Sequence, residues 1–394
     1  MKFVVTGANG FLGWHLRARL MLLPDAEVVA IDRDDFGSAG LEWAVSNADV
    51  VMHCAGINRG SPEQLEAGNI ALARRLVLAL ESTTVARHMA GRPEPAVVFA
   101  GSNHADDDHP GRDTPYGRGK REAGQMLLTW AKHAGQNASV ADLRFCGMFG
   151  EHGRPDYNSF VANFAHAIAA GERPQISGNR ELPLLHVGDA AQRMIEAARR
   201  RAHGVEAQEG TPVLISDVAR TLDLFHQVYA PAGEIPELSG PLAVSLFNTL
   251  RAAMFPRGYP LRPEPHSDER GTLVEVVRNH GGTGQAFVST THPGCTRGNH
   301  FHLDKIERFQ VLSGTGLIRL RRVLTDETVE FVVRGDEPAV IDMPTLWTHS
   351  ITNIGDEPLV TFFWTNELYD PRHPDTWPCD VIDGRDLHLG EATL

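Results

Sequence analysis

Between Gly294 and Gly314 the chain reads GCTRGNHFHLDKIERFQVLSG, which sets His300, His302 and Glu307 at a spacing that lets one divalent ion take all three. Alternate residues of a strand share a face, so His300 and His302 point the same way. Imidazole together with carboxylate suits zinc or another borderline divalent metal, and His349, in PTLWTHSITN, is the candidate fourth ligand. A second constellation lies earlier, where Tyr116 and Lys120 stand one helical turn apart in YGRGK and therefore stack on one face. A neighbouring ammonium favours phenolate, so Lys120 is expected to lower the Tyr116 pKa and make the phenol an acid or base for a carbonyl–alcohol pair. Ser102, after an apolar run, is placed to hydrogen-bond the same oxygen. A third group is the turn from Gly7 to Gly13, in which Asn9, Gly10, Phe11 and Leu12 lie between the outer glycines. Glycines there permit close backbone approach, and a following helix start directs its N–H groups at a pyrophosphate.

These groups need particular elements to position them. A short β-branched run from Lys2 to Thr6 precedes the glycine turn, a helix follows it over 14–23, and a second strand from Glu27 to Ile31 ends at Asp32. That order is a dinucleotide-binding unit. Asp32 would accept hydrogen bonds from a ribose 2′-hydroxyl and favour NAD; Arg33 would pair with a 2′-phosphate and favour NADP. The residues leave both open. A third strand over 49–54 closes on Ala55 and Gly56, small enough for a cofactor to lie against the backbone. A fourth over 95–100 ends beside Ser102, and a fifth covers 139–144. In a doubly wound sheet, the carboxyl ends of the strands carry the chemistry. Asp156, Tyr157, Asn158 and Ser159, with a helix over 160–170, belong to a substrate lobe. The proline-rich run 255–265 reads as a connection, giving a reductase-like domain at 1–250, a linker at 251–265 and a β domain at 266–394. Beyond the linker, short alternating strands at 272–277, 285–289, 309–312, 317–323, 328–333, 339–342 and 359–364 indicate a closed β structure. A fragment from about Pro260 onward is expected to fold alone.

With 394 residues, at least two domains are expected. Fifty acidic residues against 37 basic ones, a net charge of −13, argue against a nucleic-acid or membrane-surface binder. Cys54, Cys146, Cys295 and Cys379 lie far apart with no C-x-x-C, as reduced packing thiols in a cytoplasmic protein would. No apolar run approaches membrane-spanning length, so no membrane insertion is expected.

The segment from Gly294 through His300, His302 and Glu307 to Gly314 resembles the first cupin motif, and Pro344, His349 and Asn353 resemble its partner, with Leu346 where that motif has glycine. The glycine turn, Ser102, Tyr116 and Lys120 together resemble the extended short-chain dehydrogenase/reductases. Asp268 to Gly271 and Arg297 to His300 also resemble the deoxysugar 3,5-epimerases, in which the residue matching His300 is a base; ligand and base therefore compete for that histidine. The order of parts resembles a bifunctional family of capsular polysaccharide assembling proteins over nearly the whole chain. The segments that carry this likeness are Gly56 to Arg59, Tyr116 with Lys120, Pro155 to Ser159, Gly298 to His302, Asn366-Glu367 and Pro374 to Thr376. That resemblance implies a Rossmann-type α/β reductase followed by an all-β cupin barrel. It also implies NADPH, with NADH the alternative, zinc or another divalent ion, and a homodimer. The implied activity is C3 epimerisation of a UDP-linked 4-keto-6-deoxy-N-acetylhexosamine followed by reduction of its 4-ketone, on the route to UDP-N-acetyl-L-fucosamine. Rival expectations are an NAD-dependent nucleotide-sugar 4-epimerase or dehydratase with a structural cupin, and a nucleotide-sensing protein without turnover. Lys305 is either an auxiliary acid or an exposed lysine.

Overall fold

The structure, a computed structural model, describes residues 1–37, 39–135, 137–157 and 159–382; Asn158 and the end of the expected β domain, 383–394, lie outside the described residues. Two compact units emerge. The first comprises Met1–Phe149, Asp156–Ser159 and Glu181–Val213; the second comprises Gly150–Pro155, Phe160–Arg180 and Leu214–Leu394.

The first unit is built on six parallel strands in the order β2-β1-β3-β4-β5-β8: β1 (Lys2–Thr6), β2 (Glu27–Ile31), β3 (Val50–His53), β4 (Ala96–Ser102), β5 (Ser139–Phe145) and β8 (Gly204–Gln208). The central strands read as continuous apolar runs because both faces are covered. Strand alternation divides them between two cores. Phe3, Val5, Met52, Val98 and Leu143 pack under α1 (Phe11–Leu20) and α6 (Val187–Arg199). Val4, Val51, Val97, Phe99 and Val140 pack under α2 (Ala39–Asn47), α3 (Pro62–Met89) and α4 (Pro115–Ala134). The strand order reverses between β1 and β3, the switch point at which such sheets open a crevice for ligands. A small sheet of β6 (Gly147–Phe149), β7 (Glu181–His186) and β9 (Thr211–Leu214) completes this part.

In the second unit the helices α5 (Phe160–Ala169), α7 (Ile215–Ala232) and α8 (Pro241–Met254) accompany the antiparallel strands. These are the hairpin β10 (His266–Asp268) and β11 (Gly271–Leu273), then β12 (Gln285–Thr291), β13 (Thr296–Phe301), β14 (Glu307–Ser313), β15 (Thr315–Arg322), β16 (Thr328–Arg334), β17 (Val340–Met343), β18 (Trp347–Asn353), β19 (Leu359–Thr365) and β20 (Trp377–Pro378). They form a four-stranded sheet, β12-β19-β14-β17, and a five-stranded sheet, β16-β15-β18-β13-β20. Phe309, Ile341 and Phe363 of one sheet and Ile318, Leu320, Trp347 and Ile351 of the other share one core. The closed barrel expected from strand spacing is therefore corrected: among the described residues the two sheets do not join at their edges. Regular strand spacing specifies antiparallel neighbours, whereas closure depends on which edges meet, which spacing does not encode.

The proline-rich run also behaves differently from a free connection. Tyr259 is buried, and Leu261 exchanges both backbone hydrogen bonds with Val340 at 2.9 Å, so this segment pairs along β17. The compact units divide at residues 149–150, 155–156, 159–160, 180–181 and 213–214. Among the described residues, no helix is long and apolar enough to cross a membrane. The four cysteines are free.

Candidate functional site

Each unit carries its own constellation. In the first, Gly7 has φ 65°, and a β-carbon there would lie 2.7 Å from the Ala55 backbone nitrogen. One at Gly13 would lie 2.2 Å from the Gly7 carbonyl oxygen. The glycines thus bring β1, the start of α1 and the loop after β3 into mutual contact. The N-cap of α1, Gly10, makes no side-chain capping bond, and the first turn holds no acidic residue. Its N–H groups suit an anion. Asn9 is tethered by Arg17 Nη1 at 3.0 Å, while Leu12 is buried in the core and Phe11 is half-buried against His15. Leu12 therefore offers backbone only. Asp32 Oδ1 accepts the N–H groups of Asp34 and Asp35 at 2.9 and 3.2 Å, and Arg33 is exposed.

Ser102 ends β4, and Tyr116 and Lys120 lie in the first turns of α4, whose N-cap Thr114 accepts the Gly117 N–H at 3.1 Å. Tyr116 and Ser102 share a side-chain hydrogen bond. Burial pushes the phenol pKa up, against that bond. This corrects the expected lowering by Lys120. The lysine turns instead to the Ala100 carbonyl, 2.6 Å away, with its Nζ 4.4 Å above the Phe99 ring. Burial lowers its pKa to about 8, with Asp142 opposing. Gly56 sits near that nitrogen, since a β-carbon there would lie 3.6 Å from Lys120 Nζ. One residue missed in the sequence is Asn69 of α3: its side chain accepts the Ile57 N–H at 3.1 Å and donates to the Ile57 carbonyl at 2.9 Å, clamping the loop after Gly56. No local signal marks it, because its partner lies on another element. Arg59 reaches the Asp156 carbonyl, joining two of the segments singled out in the sequence.

In the second unit, His300 near the end of β13, His302 just beyond it, Glu307 at the start of β14 and His349 in β18 converge, and one ligand atom from each lies within 4.8 Å of the others. Glu307 Oε2 faces Nε2 of His302, His349 and His300 at 3.0, 3.1 and 3.8 Å. Two ligands at tetrahedral angles about a common zinc ion stand roughly 3.3 Å apart, so the donor set fits such an ion. Outer contacts orient the rings: His302 Nδ1 faces the Asp375 carbonyl at 2.5 Å, and His349 Nδ1 faces the Trp347 carbonyl at 3.2 Å. Burial opposes the Glu307 charge, but His302, the hydrogen bonds of the His302 and His349 rings and the nearby His300 ring override it and hold the carboxyl well below its usual range. Burial takes the His349 pKa down to about 4, leaving the neutral imidazole a metal requires.

Local geometry explains the convergence. A register shift between Gly298 and His300, with Gly298 at φ 102° and Asn299 at φ 58°, sets His300 opposite His349. Leu346 holds φ 63° where the resembled motif has glycine, and its N–H donates to the His302 carbonyl at 2.9 Å, so the turn forms with leucine in it. Beside the four residues lies a cavity of about 420 Å³ that His300 and Glu307 help to line, with Phe287, Phe309 and Phe363 as apolar wall. Lys305 also lines it and is buried, held by the Pro374 carbonyl at 2.6 Å and Thr376 Oγ1 at 3.0 Å. Glu367 stands at its edge, exposed on its outer side, and partial desolvation followed by Asp375 raises its pKa.

Residues 3–209 match the NAD dependent epimerase/dehydratase family, and residues 266–377 match the polysaccharide biosynthesis C-terminal domain. A relative from Pseudomonas aeruginosa, a UDP-2-acetamido-2,6-beta-L-arabino-hexul-4-ose reductase, is 31% identical over 389 residues, covering 98% of this chain and 100% of its own. The crystal structure of the capsular polysaccharide assembling protein CapF from Staphylococcus aureus is similar over 97% of this chain and 100% of that one, at 30% identity and a TM-score of 0.57. A structure of CapF with the inhibitor 3-isopropenyl-tropolone matches with the same coverage, 97% and 100%, at 29% identity and a TM-score of 0.53. The resemblance read from the order of motifs is thus met along the full length of both proteins.

Proposed function

The chain belongs to the NAD dependent epimerase/dehydratase family, and on that premise we propose a bifunctional nucleotide-sugar enzyme of polysaccharide biosynthesis. Its cupin-like unit epimerises C3 of a UDP-linked 4-keto-6-deoxy-N-acetylhexosamine. Its parallel-sheet unit then reduces the 4-ketone with NADPH, on the route to UDP-N-acetyl-L-fucosamine for capsular or surface polysaccharide. The protein acts as a homodimer in this reading. The observation that carries the proposal is the pairing, in one chain, of a four-ligand set beside a cavity with a Ser102–Tyr116 hydrogen bond at the end of a dinucleotide-type sheet. The reductase activity of the Pseudomonas aeruginosa relative supports the reductive half.

The proton on C3 is acidic because it lies α to the 4-ketone, and its removal leaves charge on the carbonyl oxygen. A divalent ion held by His300, His302, Glu307 and His349 would supply Lewis acidity for that charge. Besides Glu307, the carboxylates of Glu367 and Asp370 line the cavity. Asp370 is paired with Arg372, so Glu367 is the base this reading assigns to the proton, with Lys305 on the cavity lining as well. A nicotinamide cofactor held at the Gly7–Gly13 turn would supply hydride for C4, and the Tyr116 phenol, kept protonated by its burial, is the donor for the oxygen. Asp32 spends Oδ1 on its own loop while Arg33 stays exposed, which supports NADPH over NADH.

The deciding experiment uses the full chain and a 4-keto-6-deoxy UDP-sugar in D₂O without nicotinamide. Deuterium should appear at C3, and later addition of NADPH should bring cofactor oxidation. Oxidation without prior exchange would leave a reductase alone and overturn the epimerase half.

A further inference from the structure

The segment from His302 to Glu307 crosses between the two sheets, and its backbone donors need partners outside regular pairing. One distant side chain supplies three of them. Asp375 Oδ1 accepts the Leu303 N–H at 2.8 Å, and Oδ2 accepts those of Asp304 and Lys305 at 2.9 and 2.8 Å. Oδ1 also accepts the Trp377 indole N–H at 3.1 Å. The carbonyl of the same residue faces His302 Nδ1 at 2.5 Å, across 73 positions of sequence. Asp375 adopts φ 38°, in the left-handed region that aspartate tolerates better than most residues. One residue thus holds both the ring of a ligand and the chain that runs from that ligand to the next.

We propose that Asp375 is the positioning residue of the metal centre: its carbonyl fixes the tautomer and ring orientation of His302, and its carboxylate fixes the 303–305 segment that sets the His302-to-Glu307 separation. The inference rests on the metal-centre reading and deepens it. A ring nitrogen that donates Nδ1–H to a carbonyl presents Nε2 to an ion in one orientation, and losing such outer partners typically costs about 10–100-fold in metal affinity.

The test compares the full-length wild type with Asp375→Asn and Asp375→Ala by zinc competition against a chromophoric chelator. Histidine ¹⁵N shifts on metal-free protein give a second readout. The asparagine variant keeps the size of the side chain but only one acceptor oxygen. Zinc affinity should fall about 10–100-fold in Asp375→Asn and further in Asp375→Ala. Both variants keep the residue 375 carbonyl, so the Nδ1–H tautomer of His302 should persist in Asp375→Asn and give way to a mixture only in Asp375→Ala, where no carboxylate anchors that residue against the 303–305 segment. Metal-free melting of Asp375→Asn should stay near that of the wild type. Affinities within twofold of the wild type in both variants, or a His302 tautomer unmoved in Asp375→Ala, would overturn the proposal. Loss of fold in both variants would do the same by making Asp375 a structural residue. If the wild type itself takes up no zinc, the metal-centre reading falls, and the tautomer measurement still decides the role of Asp375.

Discussion

At Tyr116 two effects compete, burial raising the phenol pKa and the hydrogen bond with Ser102 lowering it, and burial wins. The group is thus a proton donor through the neutral range. Tyr116→Phe should keep cofactor binding, measured by NADPH fluorescence, and lose reduction by roughly 10²–10⁴-fold, the scale of general acid catalysis. Lys120 gives a linkage prediction of the opposite kind. Its pKa falls from 10.5 to about 8 on burial, so between those values the unfolded chain holds a proton that the folded one has released. Stability should therefore rise with pH from 8 to 10.5, by an upper bound of about 3 kcal/mol, and Lys120→Met should flatten that rise in pH-dependent denaturant melts. Glu367→Gln should lower C3 deuterium exchange by roughly 10²-fold or more with zinc content unchanged, and unaltered exchange would remove it as the base.

At the scale of elements, glycine and its replacements decide how closely segments approach. Between Tyr116 and Lys120, Gly117 faces the carbonyls of His104, Gly111 and Arg112, with a β-carbon 2.3 Å from the Gly111 oxygen, and Gly119 faces the Leu65 carbonyl at 2.8 Å. The YGRGK spacing is thus a packing requirement as well as a chemical one. Gly13→Ala would put a methyl 2.2 Å from the Gly7 carbonyl oxygen, so the turn must open; cofactor titration should show at least a tenfold loss, about 1.4 kcal/mol. Leu346 presents the reverse case. Its left-handed φ costs about 1–2 kcal/mol, yet its side chain is 1% exposed. Removing a buried leucine side chain typically costs about 2–5 kcal/mol, so Leu346→Gly should lower the melting temperature despite relieving the backbone.

For the molecule as a whole, the second unit depends on residues before the proline-rich run. Arg308 pairs with Asp342 through two bonds of 2.6 and 2.8 Å and donates to the Gly233 carbonyl at 2.7 Å. Tyr229 donates to Asp342 at 2.7 Å, and Arg251 donates to the Met343 carbonyl at 2.7 Å. Asn248 holds the Asp304 carbonyl at 2.8 Å, inside the segment that carries the ligands. A fragment starting at residue 260 keeps the Arg308–Asp342 pair but strips it of the Gly233 carbonyl and the Tyr229 hydroxyl, and each such buried hydrogen bond to a charged group contributes about 1.5–3 kcal/mol. The isolated folding expected from sequence should fail: residues 260–394 should give a weak or non-cooperative melt, and a fragment from residue 214 a cooperative one. Equal melts would show that the helices are dispensable.

The sequence by itself determined the order of parts. Apolar runs and the glycine turn specified the parallel sheet, and H-x-H with Glu307 and His349 specified a donor set, because strand alternation, helical spacing and ligand chemistry are local properties. Tertiary structure decided what depends on residues far apart in the chain. Burial set the Tyr116 pKa against Ser102 while Lys120 turned to the Ala100 carbonyl, since a pKa follows the depth of the site as well as the charges nearby in sequence. Asn69, Asp375 and the Arg308–Asp342 pair gained their roles only where folding brought remote backbone beside them. Spacing along strands announced an antiparallel β unit, but it left open which edges meet and which helices complete the core, because those are settled by packing between elements.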